Sequence, residues 1–387
     1  MMTRVLLAVG DPRKYWHPTG APRHARVLHA RAAASLAAVT GQESAALDRE
    51  ISVALRSLAG GELASVFACA PSATVFRHLW RVLAQRSPVD SVSDVAGTVF
   101  ALPVVIIVAT DRDGTVPVTL PAVLPTATVL EALLRDHGAL GGNQTFSLAN
   151  ALVAAEAIDL PRLPQWRSLE ASAAPPLRPA LVDLLQPAPI CATARLETVH
   201  LRFIVGYAIA AVGANLLHDT RVGAWGAAFA QSLTRQLQFP GVSLLALPRA
   251  PQPLVAAVED GRIAQREISA QLFLSNALRK FRSSVGEPTA VISAHRADVA
   301  SGGELRLSLS SPFATHAAEG FRCELFPGDC VADVLAMLVD LLRDCRVDDV
   351  RVSEGIHADR DPITGAPLLF TAENLADATD ASLRPVC

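Results

Sequence analysis

The sequence has almost no lysine and few charged residues of either sign. Lys14 and Lys280 are the only two lysines among 387 residues, and charged residues make up 18% of the chain. The formal net charge is -3. A protein that binds nucleic acid through its overall field needs a strongly basic surface. This composition excludes that mode of binding.

Closely spaced cysteines are also missing. The chain has six cysteines and no C-x-x-C pair. A structural zinc site or a disulfide framework needs tighter spacing, so we expect reduced thiols in a cytoplasmic protein. The cysteines are Cys69, Cys191, Cys323, Cys330, Cys345 and Cys387.

No apolar run is long enough for a signal peptide or a membrane helix. The run before Asp11 has about five apolar residues, fewer than a signal-peptide core needs. The most apolar window, residues 201–217, is shorter than the roughly 20 residues of a spanning helix and contains Arg202 and Asn215. We therefore expect no membrane insertion.

What the chain does have is an excess of apolar residues. Hydrophobic residues make up 51% of it and the mean hydropathy is +0.32. Such a chain can bury a large core and still leave apolar surface, which favours a protein partner or a homo-oligomer. Its length predicts more than one compact lobe.

Residues 1–96 are predicted to form a helical N-terminal region that includes a basic arm. Apolar residues recur at helical spacing in three stretches between residues 24 and 96. Gly60 and Gly61 are expected to end the second helix, and Ser72 to cap the third.

A first α/β lobe is predicted over residues 97–170. The β-branched run TVFALPVVIIVAT indicates a strand buried on both faces. TATVLEALLRDHG is predicted to be a helix, and TFSLANALVAAEAI a second one. A Pro-rich linker is expected over residues 171–190.

A second α/β lobe is predicted over residues 191–353, followed by a loose tail over 354–387. The lobe alternates apolar strands with helices, and the pattern of ELRLSLS predicts a strand with one solvated face. TFSLANAL in the first lobe and LFLSNAL in the second indicate a weak internal duplication. The fold class expected for the chain is mixed α+β, with mostly buried sheets in both lobes.

One short motif points to catalysis. The buried run VVIIVAT ends in Asp111-Arg-Asp113-Gly-Thr, which resembles the phosphatase site of the haloacid dehalogenase type. That resemblance implies Asp111 as nucleophile and Asp113 as acid and base. It also implies magnesium held by Asp111, Asp329 and Asp333, and Lys280 as the phosphoryl-neutralising lysine. These residues form the catalytic alternative.

The surroundings of this motif depart from that family. The polar GGNQTFS stands where a second strand ending in Ser or Thr is expected. Lys280 lies in a helix that is predicted to pack on the core. A turn interpretation therefore competes, in which Asp111 and Asp113 form a hairpin turn and Asp329 begins a helix.

Nucleic-acid binding is a second alternative. The N-terminal arm contains Tyr15 and Trp16 among basic residues, a mixture that can hold single strands. The basic residues are Arg4, Arg13, Lys14, Arg23, Arg26 and Arg31. No P-loop, G-x-S-x-G, H-E-x-x-H or dinucleotide motif occurs. The leading prediction is therefore a non-enzymatic cytoplasmic protein that acts through protein–protein interaction or self-assembly, without a cofactor.

Four apolar stretches follow one another along the chain: LPVVIIVA, RFIVGYAIA, FPGVSLLALPRAP and LFPGDCVADVLAMLVDLLRDC. In element order and apolar spacing they resemble a bacterial family known as domain of unknown function 2863, and the likeness covers most of residues 24–352. It implies a cytoplasmic α/β protein without an assigned activity, and it supplies no functional residues. In that family the segment after the first strand does not require an Asp pair, which favours the turn interpretation.

Overall fold

The structure is a computed structural model of the 387-residue chain. It describes residues 21–84, 95–110, 115–119, 124, 127–137, 139, 145–155, 158, 189–193, 198–211, 222–238, 240–284, 286–295, 303–311, 319–326, 329–357 and 369–371. The basic arm up to residue 20 and the predicted linker up to residue 188 lie outside these ranges.

The described residues form eight α-helices and eleven β-strands. The helices are α1 Arg23–Ala37, α2 Gly41–Ser57, α3 Gly60–Ala68, α4 Ala73–Ala84, α5 Ala127–Asp136, α6 Gly226–Gln236, α7 Leu254–Ser284 and α8 Val331–Asp344. The strands are β1 Val95–Thr110, β2 Thr115–Thr119, β3 Thr145–Ala154, β4 Pro189–Thr193, β5 Thr198–Ala211, β6 Val242–Pro248, β7 Gln252–Pro253, β8 Thr289–His295, β9 Glu304–Ser310, β10 Glu319–Glu324 and β11 Val350–His357. The mixed α+β class is confirmed.

The three predicted N-terminal helices are present as α1, α2 and α4. Ser72 caps α4, because its Oγ accepts a hydrogen bond from the Val75 N–H at 3.2 Å. The prediction missed α3, since Gly60 and Gly61 were expected only to end a helix. They begin the next one, where the Glu62 carboxylate accepts from the Ala59 N–H at 3.1 Å.

The chain divides into two compact units. Unit 1 comprises residues 1–51, 65–79 and 267–387, and unit 2 comprises residues 52–64 and 80–266. The units do not follow the predicted lobes: β1 and β3 come from the first lobe and β5 and β6 from the second, yet all four share one sheet. The predicted boundary is wrong because β1 pairs on both sides with strands that follow the linker.

The main sheet of unit 2 has the order β3-β5-β1-β6, and each neighbouring pair is antiparallel. With α5 between β1 and β3, and α6 between β5 and β6, the chain order is β-α-β-β-α-β. This is the split βαβ arrangement of ferredoxin-like folds. A small pair, β2 with β4, stands apart from that sheet.

Both crossover helices pack on one face of this sheet. Alternate residues of β1 from Phe100 to Val108 form a core with Leu130 of α5 and Phe229 of α6. The first part of α7 lies on the other face. A Cβ on Gly261 of α7 would lie 2.9 Å from Leu201 Cδ1, so the helix backbone approaches β5 closely.

The segment predicted as a second helix in the first lobe is a strand, β3. Phe146, Leu148 and Leu152 point into the core, but the register with β5 shifts between Leu148 and Leu152. That irregularity breaks the two-residue alternation and makes the apolar spacing look helical. The proposed duplication has no structural counterpart, because LFLSNAL lies within helix α7.

Unit 1 contains a four-stranded sheet with the order β10-β9-β8-β11. Strands β8 and β11 are parallel and the other pairs are antiparallel. Leu305, Leu307 and Leu309 of β9 face a core formed with the second part of α7 and with α8.

The opposite face of this sheet was predicted to be solvated, and that prediction is wrong. Glu304, Arg306, Ser308 and Ser310 alternate with the leucines as expected, but every residue of β9 is buried. Residues 369–371 cover part of the face, since the Ser308 hydroxyl donates to the Phe370 carbonyl.

The C-terminal tail is also more ordered than predicted where it is described. Residues 354–357 belong to β11, and Phe370 and Thr371 are buried. A Cβ on Gly320 of β10 would lie 2.5 Å from Leu369 Cδ1, so the segment packs closely on the sheet. The remaining tail residues lie outside the described ranges.

None of the helices in the described ranges is both long and apolar enough to cross a bilayer.

Candidate functional site

The residues of the predicted phosphatase site have separate surroundings where they are described. Asp329 closes a local turn: its Oδ2 accepts from the Phe326 N–H at 2.7 Å, and its own N–H donates to the Phe326 carbonyl at 3.0 Å. This geometry matches the turn interpretation of Asp329, because short acidic side chains satisfy nearby backbone N–H groups in turns.

Asp333 and Lys280 each have a partner of their own. Asp333 lies in the first turn of α8, is 75% exposed, and approaches Arg77 Nη2 at 4.0 Å. Lys280 is 74% exposed and pairs with Glu319. Asp111 and Asp113 lie outside the described residues. Within the described ranges, no three His, Cys, Asp or Glu residues are grouped as a metal site would require.

A polar face on the unit 1 sheet gathers the most chemically active side chains. The strand register places His357, His295, Glu304 and Glu324 directly opposite one another across β11, β8, β9 and β10. Residues opposite one another across a sheet project from the same face. This row was not predicted from the sequence, because it depends on strand pairing over long separations.

Two serine–histidine pairs lie at the β8 and β11 end of this face. Ser293 Oγ is 2.7 Å from His295 Nε2, and Ser353 Oγ is hydrogen-bonded to His357 Nε2. The imidazole centroids are 5.6 Å apart, and the Phe370 ring lies 4.5 Å from that of His357. Burial lowers the pKa of His357 below its ordinary value of 6.5.

An ion-pair group occupies the β9 and β10 side. Glu304 accepts a hydrogen bond from the fully buried Arg306 and a further one from Arg322 Nε at 3.0 Å. Only the Arg322 side chain is largely exposed, at 55%. Buried charges of this kind are tolerated when they are paired.

The polar face holds groups that could act as nucleophile and base, but it is closed. Ser293 and Ser353 are each 1% exposed. Phe370 covers the two imidazoles at the carboxyl ends of the parallel strands, which is where open α/β sheets bind ligands. The arrangement therefore serves to hold the C-terminal segment on the sheet.

The β6 edge of the unit 2 sheet is the second distinctive feature. This strand, Val242–Pro248, has the sequence VSLLALP with no charged residue. It pairs with β1 on one side, and no described strand pairs with the other. Natural edge strands usually carry charges or bulges that prevent pairing with other chains. The β6 edge has neither.

The phase of the β6 backbone, meaning which residues direct their N–H and C=O groups toward β1 and which direct them away, follows from the pairing of β6 with β1. The Arg249 N–H donates to the Pro103 carbonyl at 2.8 Å, so Arg249 belongs to a hydrogen-bonded pair. Because such pairs alternate in an antiparallel ladder, Val242, Leu244 and Ala246 direct their N–H and C=O groups away from β1. Pro248 follows in the same phase and offers only a carbonyl.

Apolar side chains border this edge on both faces of the sheet. On the helix side, Val242 and Leu244 are half-buried and line a groove with Thr234, Gln238 and Pro240. On the other side, Leu245 is 50% exposed. It pairs with Ile107 of β1, which pairs in turn with Val199 of β5, so the three residues form an apolar row across the sheet. The sequence signal for this edge was a neutral, apolar strand between two prolines.

No family model, curated protein or solved structure matches this chain significantly.

Proposed function

We propose that this chain is a non-enzymatic cytoplasmic protein that acts by binding another polypeptide along the β6 edge. The proposal rests on one observation. Val242, Leu244 and Ala246 direct their backbone N–H and C=O groups away from β1, in a strand without charged residues. Their backbone groups match the repeat of an added strand, which is the recognition mode called β-augmentation.

The groove beside β6 supplies the specificity in this proposal. An added strand places alternate side chains on the helix side, over Val242, Leu244 and the polar rim at Thr234 and Gln238. Its other side chains lie beside Leu245, which is half-exposed. The preferred partner is therefore an extended segment with apolar residues on both faces and no charge at its centre.

Nothing described favours the phosphatase alternative over this function, since Asp329 and Lys280 have local partners. The nucleic-acid alternative rests on an arm of which residues 1–20 lie outside the described residues. Both stay predictions, as does the resemblance to domain of unknown function 2863, which assigns no activity and agrees with a binding role.

Selection from a displayed library of random peptides would test the proposal. The full chain is immobilised at a density too low for two copies to meet, and the affinity of every selected peptide is then measured for the Leu244→Pro variant as well. That substitution removes one outward N–H while leaving the pairs with β1 in place. We expect apolar, extended peptides whose affinity falls at least about tenfold in Leu244→Pro, equivalent to about 1.4 kcal/mol.

Ser243→Thr is the matched control. Ser243 is exposed, but its backbone belongs to the phase that faces β1, so peptides should bind this variant within about threefold of the original chain. Peptides that bind all three proteins equally, or a selection that yields none, would contradict the proposed function.

A further inference from the structure

We infer that the polypeptide bound along β6 is β6 of a second copy, so that the chain forms a two-fold symmetric dimer through an antiparallel β6–β6 pair. This inference rests on the proposed function, because it names the occupant of the same edge. The sequence of β6 itself meets the requirements for that occupant: seven residues, no charge, and apolar side chains on both faces.

The backbone phase allows a self-pair with a defined centre. If the two-fold axis passes beside Leu245, Leu244 of one copy faces Ala246 of the other, and the reverse holds by symmetry. Both residues direct their N–H and C=O groups outward, so each of these two pairs forms two hydrogen bonds. Leu245 then faces its own copy in a pair without backbone hydrogen bonds, where side chains approach most closely.

The side chains are complementary in this register. On the groove side, the large Leu244 lies opposite the small Ala246, and Val242 lies opposite Pro248. On the other side, the half-exposed Leu245 covers its copy and removes apolar surface from water on both chains. A C2 interface needs a surface that complements itself, and this strand does so without any like-charge contact.

Pro248 sets the length of the pair. It lacks an N–H in the outward phase, so the ladder ends there on each copy. A pair of two short strands lies at the small end of protein interfaces, so we expect a dissociation constant of roughly 1–100 μM.

Charge substitution at Leu245 tests the inference with the full chain. Leu245→Lys and Leu245→Glu each place two like charges face to face at the axis, and each alone should be monomeric by light scattering at about 1 mM, about ten times the weakest expected dissociation constant, where the original chain is mostly dimeric. An equal mixture of the two variants should dimerise again, because opposite charges then face each other. Both substitutions are at a half-exposed position, so circular dichroism and thermal unfolding should match the original chain within a few degrees.

A cysteine scan supplies an independent readout. Leu245→Cys should form an intermolecular disulfide under mild oxidation, since opposing Cα atoms in such a pair are about 4.5 Å apart. Ser243→Cys is the control, because its partner in this register is Leu247. Mass spectrometry identifies the 245–245 peptide and separates it from products of the native cysteines.

The outcomes separate this inference from the function on which it depends. A monomeric chain that still binds selected peptides in a Leu244-dependent way overturns the dimer and leaves strand addition standing. A dimer that persists in both Leu245 variants, or one crosslinked equally through Ser243→Cys, also overturns this register. A monomer that binds no peptide overturns both.

Discussion

The ring of Phe100 in β1 occupies the space beside Gly206, its direct partner across the strand pair with β5. A Cβ built on Gly206 would lie 2.2 Å from Phe100 Cζ and 2.6 Å from Cε1. Phe100 is fully buried in the core under α5 and α6, so its ring has little room to move aside. Glycine at position 206 is therefore a packing requirement of the central strand pair.

Gly206→Ala should lower the free energy of unfolding by about 1–3 kcal/mol, because a methyl group there overpacks the core. Chemical denaturation followed by circular dichroism measures the change. The double variant Gly206→Ala with Phe100→Leu should recover part of the loss, since the smaller side chain frees the space. A single variant within about 0.5 kcal/mol of the original chain would contradict this packing.

Glu304→Gln should be strongly destabilising. The substitution removes the negative charge beside the fully buried Arg306, and breaking one side of a buried ion pair costs about 3–5 kcal/mol. Glu324→Gln is the matched control: it lies directly opposite Glu304 in the same row but is exposed, and should change stability by less than about 0.5 kcal/mol. Equal effects of the two variants would show that Glu304 has no special role.

Several local features of the fold were predicted correctly from the sequence pattern. β1 was predicted because its apolar run is long and β-branched, and α8 because its apolar residues recur at helical spacing. Ser72 was predicted as a cap from its position alone, and the hydrogen bond to the Val75 N–H confirms it. The local sequence pattern was sufficient wherever the apolar residues of a segment followed a single repeat.

The sequence failed where the decisive contact is distant in the chain. TFSLANAL was assigned to a helix because the register shift within β3 is created by its pairing with β5. The alternation of β9 was read correctly, but the burial of its polar side depends on Phe370, about sixty residues further on. The row from His357 to Glu324 required four strands in register, and the β6 edge required knowing which strand ends the sheet.

Acidification should destabilise the fold through His357. Burial lowers the pKa of this imidazole in the folded chain, so below about pH 6.5 the unfolded chain takes up a proton that the folded one resists. The free energy of unfolding should therefore fall as the pH drops through 6.5, and level off for this group below its folded pKa. Urea denaturation at pH 8, 6.5 and 5 measures the slope.

The comparison with His357→Gln isolates that contribution. The glutamine cannot be protonated but can still bond with Ser353, so the variant should lose less stability between pH 8 and pH 5 than the original chain. His137→Gln, at an exposed position at the end of α5, should keep the original slope. Identical slopes for the original chain and His357→Gln would count against the role of this burial.

Asp329→Ala should cost about 1 kcal/mol of stability, because the Phe326 N–H loses its acceptor in the turn before α8. Asp333→Ala, at an exposed carboxylate four residues further, should change stability by less than about 0.5 kcal/mol. Thermal unfolding compares the two. Repeating it with magnesium tests the phosphatase alternative, which requires magnesium to stabilise the original chain and neither variant.

The alternation of polar and apolar residues along β9 also fixes the pairing register of the unit 1 sheet. A slip of one residue would carry the Arg306 guanidinium into the hydrocarbon layer beneath α8 and turn Leu305 toward the imidazoles. Both exchanges raise the free energy of the sheet, above all because the guanidinium would be buried without an ionic partner. Misaligned forms of the sheet are therefore excluded. Burying these charges costs free energy in the native sheet, and the same charges restrict the sheet to a single strand alignment.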